Sequence, residues 1–240
     1  MAAFLLRSCT RLVYTLFLVV SGGLGAQAIE RLSDLRPQSG DLVVLDVDET
    51  LICPVTSAVQ LWNHAYRERW RSRLGSDWES AFSRYWSSDR RQHVDPGAVE
   101  VIRNWRRQGV YVIALTSRSA VRPDGCQAHP QLLSQLQGMG YLFTSCEGVP
   151  SGLGITNGGC KASYLLEQVP IARRVPTVWL VDDSKTTLQR ARCSWTLEHP
   201  SLETVHFCGA EAHRRPFDPF LADYGVLQFL ERDDWAVVSF

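Results

Sequence analysis

The hydrophobic positions of this chain form two alternating patterns: short continuous apolar runs, and stretches with an apolar residue every three or four positions. The runs are typical of buried parallel strands and the periodic stretches of amphipathic helices. The predicted strands are 42–45, 110–115, 141–143, 177–181 and 204–208. The predicted helices of the main fold are 96–108, 130–139, 161–169, 185–193 and 218–230. This alternation predicts an α/β fold, a three-layer α/β/α sandwich around a Rossmann-like parallel sheet.

A mostly helical insert, about residues 54–93, separates the first two predicted strands, and a minimal sheet does not require it. Its aromatic residues recur at helical spacing: Trp62, Tyr66, Trp70, Trp78, Phe82, Tyr85 and Trp86. A stripe at this spacing favours packing against the core, and the lining of a substrate slot is the alternative. The arginines of the insert alternate around the helix and predict a solvated surface: Arg67, Arg69, Arg71 and Arg73.

The first 28 residues have the pattern of an export signal. Arg7 and Arg11 precede the apolar segment 12–20, and Ala26-Gln27-Ala28 is a small-x-small cleavage sequence. A membrane-spanning helix needs about 20 apolar residues, so we expect a cleaved signal, no stable span in the mature chain, and a periplasmic or secreted protein. An uncleaved anchor is the alternative. The mature chain, residues 29–240, then forms one domain.

The composition indicates which binding partners and which state of the cysteines to expect. The formal net charge is zero and no basic segment stands out, so we expect no nucleic-acid binding. The cysteines beyond the signal are even in number: Cys53, Cys126, Cys146, Cys160, Cys193 and Cys208. In an oxidising compartment this permits disulfides, whose pairing is left open, or buried thiols. His206, Cys208 and His213 come closest to a zinc-binding spacing, but we expect no metal there.

Polar residues directly follow three of the predicted strands: Asp46 and Asp48, Thr116 and Ser117, and Asp182 and Asp183. The carboxyl ends of parallel strands meet at one edge of a sheet, where ligands bind. Lys161, one of only two lysines, begins the helix before the fourth strand and can reach the same edge. Lys185 competes for this position, and we interpret it as a surface residue. Simple helix capping is the alternative role for Thr116 and for the paired acids at 182–183.

Such a set of side chains suits phosphoryl transfer to a carboxylate. Carboxylates hold a divalent cation that neutralises phosphate oxygens, and one carboxylate attacks the phosphorus. Hydroxyl groups and a lysine stabilise the charge on the transferred oxygens. The residues alone therefore predict a metal-assisted phosphoryl-transfer site.

The ordered motifs resemble those of the haloacid dehalogenase (HAD) superfamily, and most closely its exported bacterial acid phosphatases and a little-characterised group of HAD-type proteins. The four matching segments are Asp46-Val47-Asp48-Glu49-Thr50-Leu51, Leu115-Thr116-Ser117, Lys161 and Trp179-Leu180-Val181-Asp182-Asp183. The resemblance covers about residues 41–192. It implies that Asp46 is the nucleophile and an Mg²⁺ ligand. It further implies that Asp48 handles the proton, with its backbone carbonyl on the metal.

The resemblance also assigns the remaining residues. Thr50, Thr116, Ser117 and Lys161 would bind phosphate, with Thr116 and Lys161 part of the catalytic machinery. Asp182 would hold Mg²⁺, while Asp183 would be either a metal ligand or an orienting acid. The insert takes the place of a cap over the site.

We therefore expect an exported Mg²⁺-dependent phosphomonoester hydrolase of the HAD type that forms an aspartyl-phosphate. The short insert favours an open pocket and a small phosphorylated substrate. A phosphotransferase or mutase, and a catalytically idle binding protein of the same fold, are the alternatives. The substrate, the oligomeric state and the choice between Asp182 and Asp183 as the direct ligand stay open.

Overall fold

The computed structural model describes most of the 240-residue chain. The described residues are 26–55, 64–79, 81, 90–121, 127–196, 199–213 and 216–230, with only the backbone at 225–230. Most of the predicted export signal, the insert residues Trp62, Phe82, Tyr85 and Trp86, and Cys126 lie outside this part of the chain.

A parallel sheet forms the centre of the described residues. Its strands are β1 Gln27–Ile29, β2 Leu42–Leu45, β5 Tyr111–Thr116, β6 Leu153–Ile155, β7 Thr177–Asp182 and β8 Ser201–Phe207. The strand order is β1-β8-β7-β2-β5-β6, and every neighbouring pair is parallel. A separate antiparallel ribbon pairs β3 Ile52–Pro54 with β4 Arg91–His93. Strand β2 therefore lies between β7 and β5, in the interior of the sheet.

Helices cover both faces of the sheet. They are α1 His64–Leu74, α2 Ala98–Arg107, α3 Ala128–Gly138, α4 Lys161–Gln168, α5 Lys185–Ser194 and α6 Pro219–Leu230. Short 3-10 helices occur at Leu32–Asp34, Gly75–Asp77, Pro170–Arg173 and Gly209–His213. Because strand side chains alternate, Val43 and Leu45 of β2 lie in the core under α2 and α3, and Leu42 and Val44 lie in the core under α4 and α5. The predicted three-layer α/β/α sandwich is confirmed.

The predicted strand at 141–143 is wrong. The Tyr141 ring is fully buried in the core, and its hydroxyl donates to the Leu51 carbonyl at 2.8 Å. The position beside β5 is taken instead by β6, which lies within the segment 145–159 that we predicted to be a loop or small hairpin. The hairpin is present only as an isolated bridge between Cys146 and Val149. Burial of the side chains of Tyr141 and Phe143, rather than strand pairing, explains these two apolar positions, whereas Leu142 is exposed.

The insert leaves the sheet through β3 and returns through β4, a pairing that the sequence pattern did not predict. Within its described part, Tyr66 and Trp70 of α1 are fully buried, and Tyr66 packs on Ala222 of α6. The packing interpretation therefore holds for these two aromatic residues. Arg71 and Arg73 are exposed, as the sequence predicted, and Arg69, whose side chain is 35% exposed, donates at the surface to both carboxylate oxygens of Asp223 at 2.6 and 2.7 Å.

Strand β1 pairs with β8 at the edge of the sheet, with Gln27 opposite Val205 and Ile29 opposite Phe207. The predicted cleavage position after Ala28 falls inside this strand, so processing there would leave only Ile29 of it. Signal cleavage stays a prediction. In the part of the chain that the structure describes, no helix has the length and apolar character needed to cross a membrane.

The cysteines show no disulfide network within the described residues. No disulfide joins any two of Cys53, Cys146, Cys160, Cys193 and Cys208. The disulfides that the cysteine count permitted are therefore not formed among these five positions. Burial raises the pKa of the Cys146 thiol, whereas the Ser194 hydroxyl and helix amides outweigh burial and lower the pKa of Cys160.

Candidate functional site

The candidate site begins where β2 ends. The backbone N–H of Asp46 donates to the Val181 carbonyl at 2.9 Å, which extends the pairing of β2 with β7 by one residue. This register places Asp46 beside Asp182, the last residue of β7. Helices α2 and α3, which precede β5 and β6 in the chain, lie on one face of the sheet. Helices α4 and α5, which precede and follow β7, lie on the other face. The chain therefore adds strands in one direction from β2 and then in the opposite direction from β7. Ligands bind preferentially at such a position in open α/β sheets.

Lys161 lies between two of these acids. It is the first residue of α4, and only 2% of it is exposed. Its ammonium group donates to Asp46 Oδ1 and, at 2.6 Å, to Asp182 Oδ2. The second oxygen of Asp182 accepts the backbone N–H of Ser184, the N-cap residue of α5, at 2.8 Å. Lys185, the other lysine, is exposed, in agreement with its interpretation as a surface residue.

Three carboxylates form a compact acidic cluster, which we define as Asp46, Asp182 and Asp183. One oxygen from each lies within 4.8 Å of the others. Asp46 and Asp182 are buried, and Asp183 is half-buried. Carboxylate oxygens are the donors that hard divalent cations prefer, so this donor set suits a metal ion. The side chain of Asp48 does not belong to the cluster, and the proposed role of its carbonyl stays a prediction.

The pKa values of these groups are coupled through burial and mutual charge. Burial is the largest cause that raises the pKa of Asp46 well above its ordinary value; Lys161 opposes this rise, and the charges of Asp182, Asp48 and Asp183 add to it. Burial, together with the charges of Asp182 and Glu49, raises the pKa of Asp183 to about 7. Burial opposes the charged form of Lys161, but Asp46 and Asp182 outweigh it and raise the lysine pKa. Negative charge therefore exceeds what one lysine compensates, and a divalent cation would relieve this excess.

Asp48 has a different environment from the other acids. The Arg118 guanidinium donates to both of its oxygens, at 2.9 Å through Nε and 2.5 Å through a terminal nitrogen. Burial raises the pKa of Asp48, but the charge and hydrogen bonds of Arg118, together with the charges of Arg91 and Lys161, outweigh it and the net pKa is lowered. The two acids of the first motif thus differ: Asp46 pairs with a lysine shared by the cluster, and Asp48 forms a bidentate pair with an arginine.

Sequence reasoning missed Arg118 as a site residue. It directly follows Thr116 and Ser117, so its position next to a strand end was the available signal. Its partner Asp48 is 70 residues away along the chain, and only the pairing of β2 with β5 brings them together.

The three hydroxyl residues predicted to bind phosphate differ in their burial and in their hydrogen bonds. Thr116 is fully buried, donates to Asp48 Oδ2 at 3.3 Å and accepts the Arg118 N–H at 3.2 Å. Ser117 is exposed, and its carbonyl accepts the N–H of Gly158 at 2.9 Å. Thr50 is fully buried, and its hydroxyl has no hydrogen-bond partner among the described residues. The contacts thus place Thr116 beside the acids and leave direct phosphate contacts of Thr50 and Ser117 as predictions.

A tight turn after Asp48 shapes this end of the sheet. Glu49 has a φ of 60°, which is unusual for a residue other than glycine. Its N–H donates to the Ile52 carbonyl at 2.8 Å, and the Ile52 N–H donates to the Val47 carbonyl at 3.0 Å. The turn keeps the buried Glu49 near Asp183, whose pKa it helps to raise.

Comparison with known proteins adds no relative. No protein-family model matches the chain, and no curated protein sequence matches it significantly. The function is therefore argued from the residues and their geometry.

Proposed function

We propose that this chain is an exported phosphomonoester hydrolase of the HAD type that uses Mg²⁺ and forms an aspartyl-phosphate on Asp46. The observation that carries the proposal is Lys161, a buried lysine that contacts both Asp46 and Asp182 beside a third carboxylate. The motif resemblance supports the choice of reaction, and the first 28 residues support export.

Asp46 is the proposed nucleophile. Its carboxylate attacks the phosphorus of a phosphomonoester, and the alcohol leaves. Attack requires the ionised carboxylate, so burial and neighbouring acids, which raise the Asp46 pKa, must be offset by positive charge. Lys161 supplies part of that charge. When bound by the acidic cluster, Mg²⁺ would supply the rest and neutralise phosphate oxygens.

Asp48 is the proposed proton carrier. With Arg118 lowering its pKa, Asp48 is ionised and suited to take a proton from the water that hydrolyses the aspartyl-phosphate. In the first step it must donate a proton to the leaving alcohol. A substrate phosphate competes with Asp48 for the Arg118 fork, because guanidinium binds both anions in the same bidentate way. Release of Arg118 to the phosphate would favour the protonated acid for that step.

Chelation tests the proposed function. Hydrolysis of an aryl phosphate by the purified chain is expected to fall at least about 100-fold in excess EDTA, because the acidic cluster would lose its cation. Added Mg²⁺ should restore the rate, while EDTA already saturated with Mg²⁺ should leave it unchanged. Full activity in excess EDTA would contradict the proposal.

Product analysis separates hydrolysis from transfer. With an added alcohol, a hydrolase is expected to release mainly inorganic phosphate, whereas a phosphotransferase would make the ester of that alcohol.

Arg118 offers a prediction with a graded outcome. Arg118→Met removes the bidentate donor, so kcat/KM for an aryl phosphate is expected to fall about 100-fold. Arg118→Lys keeps the charge without the fork and is expected to lie between Arg118→Met and the unchanged chain. Arg107→Met, at an exposed position, is the matched control. If Arg118→Met stays within about twofold of the control, Arg118 has no part in the reaction.

A further inference from the structure

The Tyr141 hydroxyl connects three segments that are distant from one another in the sequence. It donates to the Leu51 carbonyl at 2.8 Å, and it lies 3.0 Å from Nδ1 of His93 in β4. The Leu51 carbonyl also accepts the backbone N–H of Val94 at 3.1 Å. These bonds form a closed circuit, because His93 and Val94 are adjacent in the chain. Neither Tyr141 nor His93 has a role in the mechanism proposed above.

The hydrogen-bond directions in this circuit follow from the chemistry of its groups. A carbonyl oxygen only accepts, so the Tyr141 proton goes to Leu51 and the hydroxyl oxygen accepts the Nδ1 proton of His93. Burial, more than any other cause, raises the pKa of Tyr141, so the hydroxyl keeps the proton that it donates. The Tyr141 ring is fully buried, with its centre 5.3 Å from that of His93 and 6.2 Å from that of Phe143. These ring contacts fix the place of the hydroxyl.

Leu51 belongs to the turn of residues 47–52, which also carries Asp48. Glu49 in this turn has a φ of 60°, a conformation that costs free energy and persists where surrounding contacts hold it. Hydrogen bonds inside the turn supply part of that hold. The Leu51 carbonyl supplies the rest, because the core reaches it through Tyr141 and the base of the insert reaches it from the end of β4.

We propose that Tyr141 is a positioning residue: its hydroxyl, acting through the Leu51 carbonyl, fixes the turn of residues 47–52 and with it the place of Asp48. The inference rests on the proposed function, in which Asp48 carries the proton. A loosened turn lets Asp48 leave the geometry that proton transfer needs, so the chemical steps slow. The hold on the turn can be measured without any activity, so the two proposals fail separately.

The first measurement is native-state amide hydrogen exchange of Tyr141→Phe, which keeps the ring and removes only the hydroxyl. The N–H groups of Leu51 and Ile52 are expected to exchange about tenfold faster than in the unchanged chain, because the turn opens more often. The N–H of Asp46, which bonds to the Val181 carbonyl outside the turn, should change less than about twofold.

Ser151→Ala is the matched control. The Ser151 hydroxyl likewise contacts a histidine nitrogen, His129 Nε2 at 3.0 Å, and a carbonyl oxygen, that of Leu153 at 3.3 Å. Ser151 precedes β6 and so lies at the opposite edge of the parallel sheet from the acidic cluster. This control is expected to leave exchange in the turn unchanged. Equal acceleration at the turn and at Asp46 in Tyr141→Phe would mean a general loss of stability and would overturn the proposal.

Steady-state kinetics give the second measurement. With an aryl phosphate and Mg²⁺, Tyr141→Phe is expected to lower kcat about tenfold and to change KM less than about threefold, because the turn positions the proton carrier. A kcat within about twofold of that of Ser151→Ala overturns the assignment. If the unchanged chain hydrolyses no aryl phosphate, the proposed function fails, and hydrogen exchange alone decides about Tyr141.

A second pair of variants applies if Tyr141→Phe does not fold. His93→Leu removes the donor to the Tyr141 hydroxyl, whereas His93→Asn keeps an amide donor at that position. The turn amides are expected to exchange faster in His93→Leu than in His93→Asn. Equal exchange in the two variants overturns the proposal.

Discussion

Asp46→Asn is expected to abolish hydrolysis of an aryl phosphate, with a loss in kcat of at least about 10⁴-fold. The amide has the shape of the carboxylate but cannot attack phosphorus. It still offers an oxygen to Lys161, and Lys161 keeps its contact with Asp182. The fold should therefore persist while the chemistry stops. Steady-state kinetics and the thermal unfolding midpoint measure the two effects on the same sample.

The expected separation of activity from stability follows from the charges around Asp46. Burial and the charges of Asp182, Asp48 and Asp183 raise its pKa, so the ionised carboxylate is held there at a cost. A neutral amide relieves that repulsion, and the unfolding midpoint should stay equal or rise. Asp34→Asn, an exposed position in the first 3-10 helix, is the control for the substitution itself. An Asp46→Asn protein that is folded and active would refute the aspartyl-phosphate.

Lys161→Met is expected to lower the free energy of unfolding of the metal-free chain by about 3–5 kcal/mol. The substitution leaves Asp46 and Asp182 buried and facing each other without their shared cation. If the acidic cluster binds a divalent cation, Mg²⁺ should return part of this stability, because a ligand that binds only the folded state stabilises it. Urea unfolding with EDTA and with Mg²⁺ measures both quantities.

The chain contains its own control for this experiment. Lys185 is its only other lysine, and Lys185→Met removes an exposed charge at the start of α5. That variant is expected to change the unfolding free energy by less than about 0.5 kcal/mol, with or without Mg²⁺. Equal effects of the two substitutions would show that the buried contacts of Lys161 contribute nothing to stability.

The sequence predicted the fold where the pattern was long and continuous. Strands β2, β5 and β7 are unbroken apolar runs, and each lies within a residue or two of its predicted bounds. Strand β6 has only three residues in a glycine- and serine-rich segment, so no periodicity could indicate it. The strand predicted at 141–143 was wrong because an apolar pattern was present without a strand. Burial of Tyr141 in the core gives the same apolar signal as a strand does.

The features of the candidate site also fall into those that the sequence predicted and those that it did not. Asp46, Lys161 and Asp182 were predictable together, because parallel strands bring their carboxyl ends to one edge. The pairing of Asp48 with Arg118 was not, because it depends on side-chain directions across two strands. The left-handed conformation of Glu49 was hidden too, since a glutamate gives no sequence signal for a positive φ.

The ribbon of β3 and β4 has a consequence for how this protein could diversify. Cys53 of the outgoing strand is paired with Gln92 of the returning strand, so the two ends of the insert are held at a fixed separation. Whatever lies beyond the ribbon can lengthen, shorten or be exchanged without altering the register of the sheet. The sheet edge that carries the acidic cluster and the insert are thus separable parts of the chain, and lineages could exchange the insert alone while keeping the cluster.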